Sequence, residues 1–362
     1  MLSLILPTYN ESQNLPTMIG KASEALLGIE HEIIVVDDDS PDGTWKIAQE
    51  LARQHPNVRV VRRMGRRGLS SAVIEGFLTA KGDVLAVADA DGQHDLSLLS
   101  KLYNAVKESG GIAVGSRYTQ GGSVGQWDER RHAMSQIATA LAMRLCRVKV
   151  SDPMSGYFAL DRRTFEEVLP RLNPMGFKIL LDLLVHVPSG TPATEVPFTF
   201  GARLHGESKL SRRVQIEFLE YLYDAAFGRI IPLTFIEYVI VGTLGVLVNL
   251  VGYFTTRFLL GESSTNLVGF SVPLLAGIEA AILFNFFLNN AWTFGHARLR
   301  GWSAIIGLAR YNVVCAFGAL ANYAVTTYLF VQGMTELMSL IVGAFIGMVW
   351  NYTMSRLFTW KT

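Results

Sequence analysis

Asp83-Val-Leu-Ala-Val-Ala88 runs without a break into Asp89-Ala-Asp91-Gly-Gln93. The first part reads as a short apolar strand with no polar alternation, the pattern of a strand buried on both faces. Working outward, Leu2–Leu6, Glu32–Val36, Val58–Val61 and Ile112–Gly115 are similar runs. Leu15–Leu27, Thr44–Gln54, Leu69–Ala80 and Leu96–Glu108, lying between them, carry helical patterns. This alternation predicts a mostly parallel sheet covered on both sides, with ligands bound beyond the carboxyl ends of the strands. Polar clusters stand at those ends. Pro7-Thr8-Tyr9-Asn10-Glu11 follows the first strand, Asp37-Asp38-Asp39 the second, and Asp89-Ala90-Asp91-Gly92-Gln93 the fourth.

The chain has neither a P-loop nor a G-x-G-x-x-G loop, so phosphates are not held by the usual glycine cradles. Asp89 and Asp91, two residues apart at a strand end, point the same way, and Gln93 adds an oxygen. Hard oxygen donors of this kind suit Mg²⁺ or Mn²⁺ bridging the protein to a diphosphate. A bare D-x-D is also a common turn or helix cap; its place after an apolar strand favours a site. For Asp37, Asp38 and Asp39 the turn reading is stronger. Ser40-Pro-Asp-Gly43 makes a turn and Thr44 is placed to cap the next helix, leaving one of the three for ligand.

Half of all residues are hydrophobic and 17% are charged, but this average hides two unlike halves. Up to Gly228 charges and turns are ordinary, whereas from Ile230 apolar stretches reach the roughly 20 residues needed to cross a bilayer. Four spans qualify, near 233–256, 268–290, 304–330 and 336–358. Lys209, Arg212, Arg213, Arg229, Arg298, Arg300, Arg356 and Lys361 flank them on one side, which places both termini in the cytoplasm. Met1-Leu-Ser-Leu-Ile-Leu6 lacks a basic leader and is read as a strand, so the front half is expected to stay cytoplasmic. Tyr238…Gly245…Asn249 matches Tyr311…Gly318…Asn322, and Asn285 with Trp292-Thr-Phe294 resembles Asn351 with Phe358-Thr-Trp360. A two-helix unit thus appears twice in the same orientation, with glycines that allow close helix approach. Glu279, near mid-span, is expected to face the interior and pair there, or to be protonated. Between the halves, Ile216, Leu219, Tyr223 and Phe227 recur at helical spacing, suiting an interfacial helix or a core-facing one. Cys146 and Cys315 suggest no disulfide framework. A net charge of +1 gives no case for nucleic acid.

Leu-Pro-Thr-Tyr-Asn-Glu11, Val-Val-Asp-Asp-Asp-Ser-Pro-Asp-Gly-Thr44, Asp89-Ala-Asp-Gly-Gln93, Val-Gly-Ser-Arg-Tyr118 and Val-Ser-Asp-Pro-Met-Ser-Gly-Tyr157 together resemble a family 2 glycosyltransferase of the GT-A fold. The likeness is to dolichol- (polyprenyl-) phosphate mannose synthases and runs from residue 2 to about 225, and the rear half resembles the GtrA-like four-helix module. The fold class it implies is an α/β GT-A (Rossmann-like) catalytic domain followed by an all-α four-helix transmembrane domain. The expected divisions are 1–211, an interfacial region 212–229, and 230–362 in the cell membrane. The resemblance places Pro7, Tyr9, Glu11, Val36 and Asp38 around the nucleotide, Asp89 and Ala90 along the nucleotide sugar, and Asp89, Asp91 and Gln93 on the metal. It places Arg117, Arg131 and Ser135 on the acceptor phosphate, and Lys178, Arg203 and Lys209 over the diphosphate.

The implied reaction moves mannose from GDP-mannose to dolichyl or polyprenyl phosphate, with inversion. That acceptor is already anionic, so no strong general base is needed; Asp182 is a fallback. Gly92-Gln93-His94 departs from many mannose synthases, so a UDP-glucose-dependent glucosyltransferase is the nearest rival. A lipid-sugar translocator with a regulatory front domain is the rival of another class. A processive synthase is disfavoured, because Gln-x-x-Arg-Trp is missing.

Overall fold

The structure is a computed structural model that describes residues 1–125, 129–174, 178–204, 212–228, 230–260, 266–267 and 270–362. The side chains at 129–134, 212–217, 266–267 and 270 lie outside this description. The chain divides into two compact units, Met1–Ala226 and Phe227–Thr362.

The first unit is built on a seven-stranded sheet of β1 (Leu2–Thr8), β2 (His31–Asp37), β3 (Val58–Arg62), β4 (Val84–Val87), β5 (Ile112–Ser116), β6 (Phe158–Asp161) and β7 (Ala193–Pro197). Their order is β3-β2-β1-β4-β6-β5-β7, all parallel except β6, which runs antiparallel to both neighbours. Successive strand residues feed opposite faces. Ile5, Ile34, Val36, Leu85 and Val87 enter one core, and Leu4, Leu6, Ile33, Val35 and Ala86 the other. Burial on both faces explains why the strands read as unbroken apolar runs.

Helices α1 (Leu15–Ala25), α2 (Thr44–Gln54), α3 (Leu69–Thr79) and α4 (Leu99–Ser109) cover the sheet. The first three fall within two residues of the expected spans. The fourth begins with a 3₁₀ turn, Leu96–Leu98, capped by Asp95. Gly76 on α3 packs onto the sheet; a Cβ there would come 2.7 Å from Ile5 Cγ2. Four helices had no counterpart among the expected sheet-covering elements: α5 (Glu129–Leu145), α6 (Arg162–Val168), α7 (Ile179–His186) and the C-terminal α8 (Arg212–Phe227), the last expected as an interfacial or a core-facing helix. In α8, Phe218, Tyr221 and Leu222 pack on the core while Leu219 and Phe227 are exposed. Asp182, the fallback base, is buried in α7. It accepts from Tyr221 Oη at 2.9 Å and from the Asn173 N–H at 2.6 Å, so it ties α8 to the domain instead of facing substrate.

The second unit consists of α9 (Leu233–Leu260), α10 (Val272–Ala291), α11 (Trp302–Val331) and α12 (Glu336–Met354), which continues in a wider π-type turn, Ser355–Trp360. All four helices are long and apolar enough to cross a membrane. They form two hairpins. In the first, Gly245 faces Asn285 and Gly277 faces Asn249; in the second, Gly318 faces Asn351 and Gly343 faces Asn322. The duplicated sequence pattern is thus one packing device used twice, small residues admitting an amide from the facing helix. An aromatic cluster, Tyr238, Phe286, Phe294, Tyr311, Tyr352 and Trp360, joins the hairpins at one end. Glu279 corrects the expectation of an interior carboxylate: it is exposed, and the buried positions of α10 on either side of it are Gly277 and Ala281.

Candidate active site

Strand order reverses between β1 and β4, which are paired in parallel, Leu2 with Val84 through Ile5 with Val87. A crevice opens at such a switch point beyond the carboxyl ends of the strands. β1 ends at Pro7 and Thr8, and the chain leaves it through Tyr9 and Glu11; it leaves β4 through Asp89, Ala90 and Asp91, so both segments stand at the carboxyl ends of two adjacent strands.

Asp91 is buried, and its Oδ1 accepts the Gln93 N–H at 3.0 Å. Arg203 Nη2 lies 2.9 Å from Asp91 Oδ2 and donates to Gln93 Oε1 at 3.3 Å. Gln93 Nε2 donates to the Gly201 carbonyl at 3.1 Å, which leaves its amide oxygen for Arg203. Asp89 is partly exposed. Burial pushes both carboxyls up, opposed at Asp89 by Lys178 and Arg203, while the charge of Asp89 adds to the rise at Asp91. Two carboxylates that resist ionising together, with an amide oxygen already drawing a guanidinium, fit a divalent cation. Among the described residues no group of three His, Cys, Asp or Glu is arranged to hold a metal ion by itself. A set of two carboxylates and an amide suits Mg²⁺ or Mn²⁺, which take part of their shell from substrate phosphates.

His94, absent from the expected site, underpins it. It is 5% exposed, and Nδ1 accepts the Asp89 N–H at 3.0 Å, so the neutral ring carries its proton on Nε2, 3.7 Å from Asp89 Oδ2. Stacking on Tyr157 at 5.0 Å and edge contacts with Phe198 and Phe200 hold the ring, and burial lowers its pKa to about 4. The signal was present, three residues after Asp91, but it read as a departure from a motif.

Around the nucleotide end, Arg67 lies over the Tyr9 ring at 4.7 Å, and Glu11 accepts from Asn14 Nδ2 at 2.7 Å. Asp38 is enclosed by buried Arg63 at 2.5 Å and by the Gly68 N–H at 2.7 Å. Asp37 bonds Thr8 and Ser40, and Asp39 pairs with Arg62, so all three acids of the run have partners. Thr44 does not cap α2, because the cap position is Gly43 and Thr44 is the first helical residue; Asp42 Oδ1 accepts the Thr44 N–H at 3.0 Å and its hydroxyl at 2.6 Å, and the Thr44 hydroxyl accepts from the Glu11 N–H at 3.0 Å. Val36 is fully buried with its side chain against α3, which leaves only backbone for a ligand.

On the other flank, Arg117 makes a fork onto fully buried Asp152, Nε at 2.7 Å and Nη2 at 2.8 Å. Phe200 and Tyr118 lie beside the guanidinium, and the Tyr118 hydroxyl meets Ser135 Oγ at 2.8 Å. Ser135 thus bonds the hydroxyl of Tyr118, the ring beside Arg117. Asp152, which orients Arg117, was missed as a functional residue although it stands in Val-Ser-Asp152-Pro. Lys178 Nζ donates to the Met154 carbonyl at 3.3 Å; burial, with the Arg117 guanidinium nearby, pushes its pKa down to about 8. The Arg131 side chain and Lys209 lie outside the described residues.

An acidic pair at the switch point, a fringe of cations and a unit of four apolar helices define a membrane glycosyltransferase of GT-A fold. Residues 3–169 match Glycosyl transferase family 2, and residues 237–360 match the GtrA/DPMS transmembrane domain. The chain belongs to the dolichol-phosphate mannosyltransferase family. It is 39% identical to the dolichol-phosphate mannosyltransferase of Pyrococcus furiosus, over 100% of this chain and 99% of that one. It is also 39% identical to the polyprenol monophosphomannose synthase of Mycolicibacterium smegmatis, over 58% of this chain and 80% of the other. Among solved structures, glucosyl-3-phosphoglycerate synthase from Mycobacterium tuberculosis with Mn²⁺, UDP and phosphoglyceric acid aligns over 62% of this chain and 78% of that one. The TM-score is 0.45 and the identity 20%.

Proposed function

We propose that the protein transfers mannose from GDP-mannose to a dolichyl or polyprenyl phosphate, giving a β-linked product by inversion. The observation that carries this reading is the placement of Asp89, Asp91 and Gln93 at the switch-point crevice, with Arg203 already on two of them. Asp89, Asp91 and Gln93 would hold Mg²⁺ or Mn²⁺, which when bound neutralises the diphosphate leaving group. Pro7, Tyr9, Glu11 and Asp38 border the nucleoside, with Val36 contributing backbone, and Asp89 and Ala90 lie along the sugar. Lys178, Arg203 and Lys209 serve the diphosphate. Arg117, oriented by Asp152, receives the acceptor phosphate with Arg131 and Ser135; a guanidinium fork suits that task.

In the transfer, an acceptor phosphate oxygen attacks the anomeric carbon as the bond to the nucleoside diphosphate breaks on the opposite face. The attacking oxygen is already anionic, so the residues supply placement and electrostatic stabilisation rather than a proton acceptor. Residues 1–211 would act at the cytoplasmic face, 212–229 lie at the interface, and 230–362 anchor both.

The test is a donor titration of purified protein with polyprenyl phosphate, comparing GDP-mannose with UDP-glucose. A lipid product from GDP-mannose alone supports the proposal. Product from UDP-glucose alone replaces the donor, and no product from either overturns the reading.

A further inference from the structure

The outer face of the second hairpin carries a groove of about 610 Å³ between α11 and α12. Its floor is apolar, formed chiefly by Val313, Val314, Phe317, Trp350 and Met354, with Phe358 at one end. Arg310 and Lys361 also line it, and both belong to that end, since Arg310 Nη1 donates to the Phe358 carbonyl at 3.4 Å. Among the described residues neither cation has a carboxylate partner. Arg310 lies eight residues into α11, roughly 12 Å at 1.5 Å per residue. From there the floor runs a further seven residues to Phe317, roughly 10 Å along the helix.

The duplicated hairpin supplies an internal control. Aligning Tyr238 with Tyr311 and Asn285 with Asn351 gives each lining residue a counterpart on α9 and α10. The apolar ones stay apolar: Ile240 for Val313, Leu244 for Phe317, Phe284 for Trp350, Trp292 for Phe358. The cations do not, because Glu237 stands for Arg310 and Gly295 for Lys361. Helix packing and burial in lipid act on both hairpins alike, so they account for the shared apolar pattern. They do not account for a pair of cations confined to one copy.

We propose that this groove holds a second molecule of polyprenyl phosphate, its phosphate between Arg310 and Lys361 and its isoprenoid chain along Val313, Phe317 and Trp350. The site rests on the reading of polyprenyl phosphate as the acceptor. A phosphate monoester carries about −1.5 to −2 charge at neutral pH, which two cations match. The glycosylated product and ordinary phospholipids are diesters with less charge on the phosphate, so the groove favours the acceptor over both. It keeps an acceptor beside the enzyme and raises its local concentration, as tethering does.

Native mass spectrometry of the full chain, released from phosphatidylcholine nanodiscs loaded with polyprenyl phosphate, tests this. Wild type is expected to retain two polyprenyl phosphates per chain. A variant combining Arg310→Glu with Lys361→Gly, the residues the first hairpin already carries, should retain one. Equimolar phosphatidylglycerol should leave both counts unchanged. Retention of a single lipid by wild type, which needs no variant to fold, overturns the proposal, as does retention of two by the variant. Displacement of one lipid by phosphatidylglycerol also overturns it and makes the groove a general phospholipid seat. Transfer to a short-chain soluble acceptor, run in parallel, should be equal in both proteins. Loss of transfer in wild type itself would strike the catalytic reading and not this one.

Discussion

Arg203 places one nitrogen, Nη2, 2.9 Å from Asp91 Oδ2 and 3.3 Å from Gln93 Oε1. A guanidinium therefore sits on two of the three side chains assigned to the metal, and the two cations compete for the same oxygens. On the proposed function, a divalent ion held by Asp91 would free the arginine toward the diphosphate. Asp91→Ala is expected to lower turnover about a thousandfold or more, a loss on the scale of a removed transition-state charge contact, with the fold retained. Arg203→Ala should leave Mn²⁺ binding to the nucleotide-free protein equal or tighter while raising KM for the donor about tenfold. Weaker Mn²⁺ binding in Arg203→Ala, measured by electron paramagnetic resonance, would end the competition argument.

Lys178 gives a pH dependence. Its pKa is pushed down to about 8 by burial, with the Arg117 guanidinium beside it. Below that pH the side chain is an ammonium, suited to attract a diphosphate; above it the charge is lost. Affinity for GDP should therefore fall as pH rises through about 8. In Lys178→Met it should be weaker but flat across the same window. Isothermal titration calorimetry at several pH values checks this, and a wild-type profile flat to pH 9.5 would contradict it.

The His94 ring holds Asp89 from two sides, through its backbone N–H and opposite its carboxylate. Groups that orient a metal ligand typically contribute 10–100-fold in metal affinity. His94→Phe keeps the stack on Tyr157 and should lose about tenfold in Mn²⁺ affinity with kcat depressed. His94→Asn, which offers an oxygen near Nδ1, should recover part of it. A His94→Phe protein that folds and binds Mn²⁺ as wild type would reduce the histidine to core filling.

Much of this was legible in the chain because parallel strands announce themselves. Buried on both faces, β1, β2 and β4 are unbroken apolar runs, and their polar ends are where ligands bind. β6 was not legible: only four residues long, it gains strand character from lying antiparallel between β4 and β5. The partners of site residues were also hidden. Nothing in Arg63 or Asp152 taken alone says that one encloses Asp38 and the other aims Arg117, since both pairings cross long stretches of sequence. Glu279 misled because cost arguments favour an interior carboxylate, and only the helix face shows otherwise.

The repeated glycine–asparagine contacts make the last prediction. Gly318 on α11 lies directly against the Asn351 amide on α12, and Gly245 lies against Asn285 in the first hairpin. The Oδ1 atoms of Asn285 and Asn351 are both buried with no hydrogen-bond partner, so each rests on the close-lying glycine backbone, a setting for Cα–H···O contacts. A methyl at Gly318 would land inside the contact distance of Asn351 Oδ1. Gly318→Ala is therefore expected to destabilise the membrane unit by about 1–3 kcal/mol, the usual range for overpacking. Asn351→Ala opens the space the methyl needs, so the double variant should recover most of that loss. Residues in contact couple in this way, whereas distant ones add. Thermal unfolding of the detergent-solubilised protein reads the cycle, and the equivalent pair Gly245 and Asn285 repeats it in the other hairpin. Gly318→Ala with Asn285→Ala, which crosses the hairpins, serves as the control and should be additive. Additivity in the Gly318–Asn351 pair as well would mean that the glycine admits something other than the asparagine, and the shared packing device would then have to be abandoned.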